Sequence, residues 1–135
     1  MNGMGSAPTS CCGEREAVVA IDEMVTALAS RVGKMIPRRN DARYPMNAQL
    51  VMGRLSINGV FEEIGRAWGF DLGAQGLGMI TDRVVCTGDE LHVKIRGLDG
   101  REHLLPMRVT HTDRLFGNVY RIGGQFQFKS KAAAA

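Results

Sequence analysis

The sequence predicts a small, mainly β domain: a six-stranded antiparallel β-barrel with one N-terminal helix. Three observations predict it. Short stretches of alternating apolar and polar residues recur up to Phe128, Asp99-Gly100 marks a tight turn between two of them, and one N-terminal stretch repeats its apolar residues at helical spacing. Length and composition agree. A chain of 135 residues, 44% apolar, suits one domain with a modest core. Its 17 glycines against 4 prolines favour many turns and close backbone contacts over disorder.

The elements follow in order. Residues 1–13 are small, polar and glycine-containing, which predicts a flexible arm. From Glu14 the residues Val18, Ile21, Val25, Leu28 and Val32 recur at three- and four-residue steps, forming one apolar stripe of a helix that Gly33 and Pro37 end, a unit of residues 14–33. The stripe serves one of two purposes. It docks the helix on its own domain, or, because the spacing is also heptad-like, it joins two copies as a homodimer through helix 14–33. Fewer than three heptads is short for an independent coiled coil. Residues 34–128 form the domain. It begins with an Arg-rich connector at 34–45, extended because Pro37 and Pro45 disfavour helix at the residues before them. Strands are expected over Ala48–Leu55, Gly65–Leu72 and Gly76–Ile80, then around Leu91/Val93/Ile95, Leu105/Met107/Val109 and Tyr120/Ile122/Phe126/Phe128. Asp99-Gly100 is the hairpin turn between the fourth and fifth. About six short antiparallel strands at this spacing close into a barrel. Residues 129–135 are a low-complexity tail without an assignment.

Charge and chemistry narrow the function. Net charge is 17 − 14 = +3, too mild for general nucleic-acid binding. From Lys34 to Arg43, however, Lys34, Arg38, Arg39 and Arg43 face one anion, Asp41, so that short stretch alone carries 4 − 1 = +3 and suits a compact anion. Cys11, Cys12 and Cys86 make neither a disulfide framework nor a metal spacing, which fits a reducing compartment. No apolar run approaches a membrane span and no secretory signal pattern is present, so a cytoplasmic protein without a membrane partner is expected. His92, His103 and His111 are dispersed and read as solvated, with no metal site. Cys86, between Val85 and Thr87, reads as semi-buried, and Glu62-Glu63 as solvated acids in a loop. Ser30 and Ser56 lack a base, and no GxSxG occurs. Neither Lys-Ser/Thr nor a helix follows Gly73–Gly78, so it is not a phosphate loop. No catalytic set emerges, and a non-enzymatic protein without cofactor is expected.

Two segments carry the functional signal: Arg38-Arg39-Asn40-Asp41-Ala42-Arg43 and Asp71-Leu72-Gly73-Ala74-Gln75-Gly76-Leu77-Gly78. Strand alternation turns Trp68, Phe70 and Leu72 inward and Gly69, Asp71 and Gly73 outward, while Gly76 and Gly78 face outward on the next strand. That predicts an exterior patch of one carboxylate among four glycines, a surface a flat ligand can approach closely. Arginine forks pair bidentately with phosphate or with the O6/N7 edge of guanine. A carboxylate accepts from guanine N1–H and N2–H₂. The combination suits a guanine nucleotide carrying several phosphates.

On these residues the chain resembles the PilZ domain family. That family pairs RxxxR with a later (D/N)xSxxG, and both contact cyclic di-GMP. Arg39 and Arg43 match the first motif, preceded by Arg38, and Asp71 and Gly76 match the ends of the second. Tyr120-Arg121-Ile122-Gly123-Gly124-Gln125-Phe126 is similar to the family's closing strand, so the resemblance spans Pro37 to Phe128. It implies a PilZ-type barrel that receives the bacterial second messenger cyclic di-GMP, with Arg38, Arg39, Arg43, Asp71, Gly73 and Gly76 as binding residues. It also implies a connector ordered by the ligand, a repositioned helix and an unknown downstream protein partner. One position departs: Gly73 stands where the family has serine. A lost neutral hydrogen bond of roughly 0.5–1.5 kcal/mol weakens binding about tenfold. The departure keeps open a second reading, a PilZ-type adaptor that has lost its ligand and acts by protein–protein contacts. A third, a barrel for single-stranded nucleic acid, calls for exterior aromatic residues, of which the expected outward positions hold few.

Overall fold

The computed structural model describes residues 11–31 and 42–129. Arg38 and Arg39, the helix-ending Gly33 and Pro37, the first ten residues of the arm and the end of the tail lie outside the described residues. The elements are β1 (Cys11–Cys12), α1 (Glu14–Arg31), β2 (Arg43–Leu55), β3 (Phe61–Gly73), β4 (Gly76–Thr81), β5 (Glu90–Arg96), β6 (Glu102–Phe116) and β7 (Val119–Phe126).

Six antiparallel strands close on themselves in the order β2–β3–β4–β7–β6–β5 and back to β2, the closing contact running from Val51↔Lys94 to Gly53↔His92. β1 adds a two-residue parallel strand beside Glu102 and His103, so the last part of the arm expected over 1–13 is strand. β2 reaches back past the expected 48–55 to Arg43 by pairing with the end of β3, and β3 begins ahead of the expected 65–72 because Ser56 to Val60 makes a compact hairpin: Ser56 N–H donates to the Val60 carbonyl at 2.8 Å, and Gly59 takes φ 78°. Glu62 and Glu63 accordingly stand exposed on β3 rather than in a loop. The Asp99-Gly100 turn forms as expected, with Gly100 at φ 79° and Gly97 N–H donating to the Arg101 carbonyl at 2.9 Å.

Strand alternation fills the barrel. Leu50 and Met52, Leu72, Leu77 and Met79, Leu91, Val93 and Ile95, Leu105, Met107 and Val109, and Ile122 are all buried, so every barrel strand supplies the core. Each large side chain among them contributes about 1.5–3 kcal/mol on leaving water. Phe128, just past β7, is also buried, its ring 5.4 Å from that of Phe126.

α1 starts where the Gly13 carbonyl accepts from Ala17 N–H at 3.1 Å, with Glu14 and Glu16 in its first turn and Arg31 in its last, the charge order its dipole favours. It packs on β6, β2 and β3 of its own barrel. The buried face is Ala17, Ala20, Ile21, Val25 and Ala29, whereas Val18 and Leu28 of the expected stripe are only partly buried. Alanines at the contact let the helix backbone approach the barrel. Among the described residues no helix is long and apolar enough to cross a membrane.

Three side chains, His103, Cys86 and His92, depart from the expected solvation. His103 is fully buried, because it shares the inward parity of Leu105 and Met107, and its Nε2 lies 3.3 Å from an Asp99 carboxylate oxygen. Cys86 is exposed rather than semi-buried, since it lies in the β4–β5 loop; its N–H donates to Asp89 Oδ2 at 2.9 Å.

His92 is half-buried on β5, and its pKa falls below the ordinary 6.5 because burial disfavours the cation, a shift the Glu90 charge partly opposes. The unfolded chain therefore takes up this proton first as pH falls. The stabilisation from neutral His92 is complete above 6.5 and is lost as pH drops through the lower folded value. Urea unfolding of wild type and His92→Gln across the mildly acidic range is expected to show a shallower loss of stability in the variant.

Candidate functional site

The decisive local feature is in β3. Gly69 pairs with Met79, but Asp71, two residues on, pairs with Gly78, one residue on, so β3 carries an extra residue at Phe70. Such a bulge resets the alternation. Gly69 faces inward, where an added Cβ would meet Leu50 Cδ1 of the core at 3.0 Å, and Leu72 is inward again at 0% exposure. Trp68 is 42% exposed, and the Phe70 ring lies over the outer side of Gly78. The expected parity therefore holds for Leu72 and fails for Trp68, Phe70 and Gly69.

Phe70 and Asp71 thus emerge side by side on the barrel exterior. A Cβ on Gly78 would meet Asp71 Oδ1 at 2.7 Å and Phe70 Cζ at 2.7 Å, so both side chains converge on a glycine backbone. The same transverse row runs on through Gly78↔Gly123 and Gly123↔His111 into β7 and β6, and the His111 ring covers Gly123. Gly123 supplies the place in the glycine surface that was expected from Gly69.

Arg43, the first residue of β2, pairs with Gly73. Its side chain runs across the wall, because a Cβ on Gly73 would meet Arg43 Cδ at 2.9 Å and a Cβ on Gly76 would meet Arg43 Nη2 at 2.7 Å. At the far end Arg43 Nη1 donates to Asp71 Oδ1 at 3.0 Å. Both partners are partly exposed, so this ion pair itself contributes at most about 1 kcal/mol. Gly73 and Gly76 act as a trough for the arginine stem. Their backbones are buried beneath it, and the Ala42 carbonyl also presses against the place where a Gly73 Cβ would stand. A serine there has no room for its side chain while Arg43 lies in the trough.

Arg43, Phe70, Asp71, Gly78, His111, Arg121, Ile122 and Gly123 line a hollow of about 180 Å³ on the outer wall. That lies below the roughly 300–1,000 Å³ of pockets that enclose a whole ligand. Arg121 is held at 3.6 Å by Asp113. Of the residues expected at the site, the structure brings together Arg43, Asp71, Gly73 and Gly76, while Arg38 and Arg39 lie outside the described residues. Sequence reasoning missed Phe70, His111, Arg121 and Gly123. Gly123 follows from pairing Gly78 across β4 and β7, but the bulge that exposes Phe70 leaves no local signature. Among the described residues no cluster of His, Cys, Asp or Glu could hold a metal ion.

No protein-family model matches the chain, and no curated protein matches it by sequence. Solved structures match by shape. E. coli YcgR in complex with c-di-GMP superposes with a TM-score of 0.50 at 12% identity, over 73% of this chain and 42% of YcgR. MrkH from K. pneumonia gives 0.50 at 16% identity, over 70% of this chain and 44% of MrkH. The chain has the PilZ fold. It spans less than half the length of these PilZ-fold proteins.

The trough makes a sharp prediction for the position where the family pattern has serine. Gly73→Ser is expected to displace the Ala42 carbonyl and the Arg43 stem, lowering stability by about 1–3 kcal/mol, as overpacking does. Chemical denaturation measures it. A neutral or stabilising result means that the trough is not needed.

Proposed function

We propose that this PilZ domain is a non-enzymatic receptor for cyclic di-GMP, which it binds on the outer wall at Arg43 and Asp71. The observation that carries this reading is the Arg43–Asp71 pair, at 3.0 Å, lying across a glycine surface on the exterior of a PilZ-type barrel. YcgR, which shares the fold, was solved in complex with c-di-GMP. The chemistry is complementary. A carboxylate accepts from the N–H edge of guanine, an arginine fork pairs with phosphate or with guanine O6/N7, and the glycines let Arg43, Phe70 and Asp71 lie close against the wall where they meet.

In this reading Arg38 and Arg39 add further charge-assisted contacts to the two phosphates, and Gly73 and Gly76 serve by seating Arg43. Ligand binding orders the Arg-rich connector, which joins the helix to the barrel, and so transmits the signal to a downstream protein. The ligand is a signal rather than a substrate, and no cofactor takes part.

Calorimetry with cyclic di-GMP tests the reading. Wild type is expected to bind, and Asp71→Ala and Arg39→Ala to weaken binding by about tenfold or more each, the cost of a hydrogen bond to a charged group. Absence of heat with wild type at high micromolar ligand would overturn it and favour an adaptor that acts through protein contacts alone.

A further inference from the structure

Phe70 brings a phenyl ring to the lining of the hollow, and its position asks for a reason. A phenylalanine in a barrel strand gains most by facing the core, yet the bulge turns this one outward beside a carboxylate. An aromatic ring laid over a cross-strand glycine can simply protect the sheet at that point, which accounts for Phe70 on Gly78. It does not account for Asp71 converging on the same glycine, or for Arg43 reaching into the same hollow to bind that carboxylate. An aromatic ring, a carboxylate and a guanidinium around one shallow hollow are the three groups that a purine base engages by its face and by its edges.

We infer that Phe70 is the stacking surface for one purine of the ligand, while Asp71 reads the edge of that same base. This deepens the cyclic di-GMP reading and rests on it. The two roles are separable, because stacking is indifferent to which purine is bound and hydrogen-bonding at the edge is not. The hollow, at about 180 Å³, takes one base and leaves the second nucleotide on the open wall outside it.

The experiment compares cyclic di-GMP with cyclic di-AMP on wild type, Phe70→Leu, Phe70→Tyr and Asp71→Asn. Loss of the stack in Phe70→Leu is expected to weaken the guanine ligand by about 5- to 150-fold. The guanine-over-adenine preference should stay unchanged, and Phe70→Tyr should restore affinity. Asp71→Asn should reduce the preference itself. A second measurement uses the unaltered protein: nuclear Overhauser contacts between the Phe70 ring protons and the purine H8 of bound cyclic di-GMP. If wild type binds but Phe70→Leu binds equally well, or if those contacts are missing from the bound state, the stacking role is wrong and the receptor reading stands. If wild type fails to bind cyclic di-GMP, both fall.

Discussion

Between Gly69 and Asp71 the strand β3 holds one residue more than β4 beside it, and the exterior of this barrel is organised around that surplus. With strict alternation, an inward Leu72 would draw Phe70 and Trp68 into the core. The extra residue allows Leu72 to fill the barrel while Phe70 and Asp71 both stand outside. Sending two neighbouring residues of one strand to the outer wall takes such a device, because the strand must otherwise surrender a core position for the pair. The shared glycine completes it: Gly78 has no side chain to hold Phe70 and Asp71 apart.

The second organising element is the trough that carries Arg43. A long, flexible cation loses roughly 2 kcal/mol of side-chain entropy when fixed in one conformation, and a surface ion pair alone returns less than that. Here Arg43 lies with its Cδ against Gly73 and its Nη2 against Gly76, so packing within the folded chain already restricts it. The cost of ordering falls in part on folding rather than on binding, which is how preorganised sites gain affinity. It also gives glycine at position 73 a physical role in this chain, where the family pattern would supply a hydroxyl.

Much of the fold was legible because period-two alternation is strict where strands pair regularly. Leu91, Val93 and Ile95, and Leu105, Met107 and Val109, are inward as alternation requires, and Asp99-Gly100 turns the chain between them. Asp71 and Gly76 were legible as a motif, and Arg43 by the spacing of arginines. Illegible was whatever breaks the period. The bulge at Phe70 depends on the register between two strands, and no residue at that point announces it. The buried His103 was missed for a different reason. Its strand parity called for burial, but its polarity suggested solvent, and the nearby Asp99 carboxylate makes burial tolerable. The helix face was legible at its centre, Ile21 and Val25, but not at Ala17, Ala20 and Ala29, because alanines, weak as apolar signals, form the close contact with the barrel while the larger Val18 and Leu28 sit at its margin.

The proposed binding surface lies on the outer wall, across the row from Asp71 through Gly78 and Gly123 to His111. A backbone amide NMR titration of the chain with cyclic di-GMP tests it most directly. The largest shift changes are expected at Phe70, Asp71, Gly78 and Gly123. Changes concentrated instead in the groove between α1 and the barrel, at Met24, Leu28 and Leu98, or no changes at saturating ligand, would contradict it.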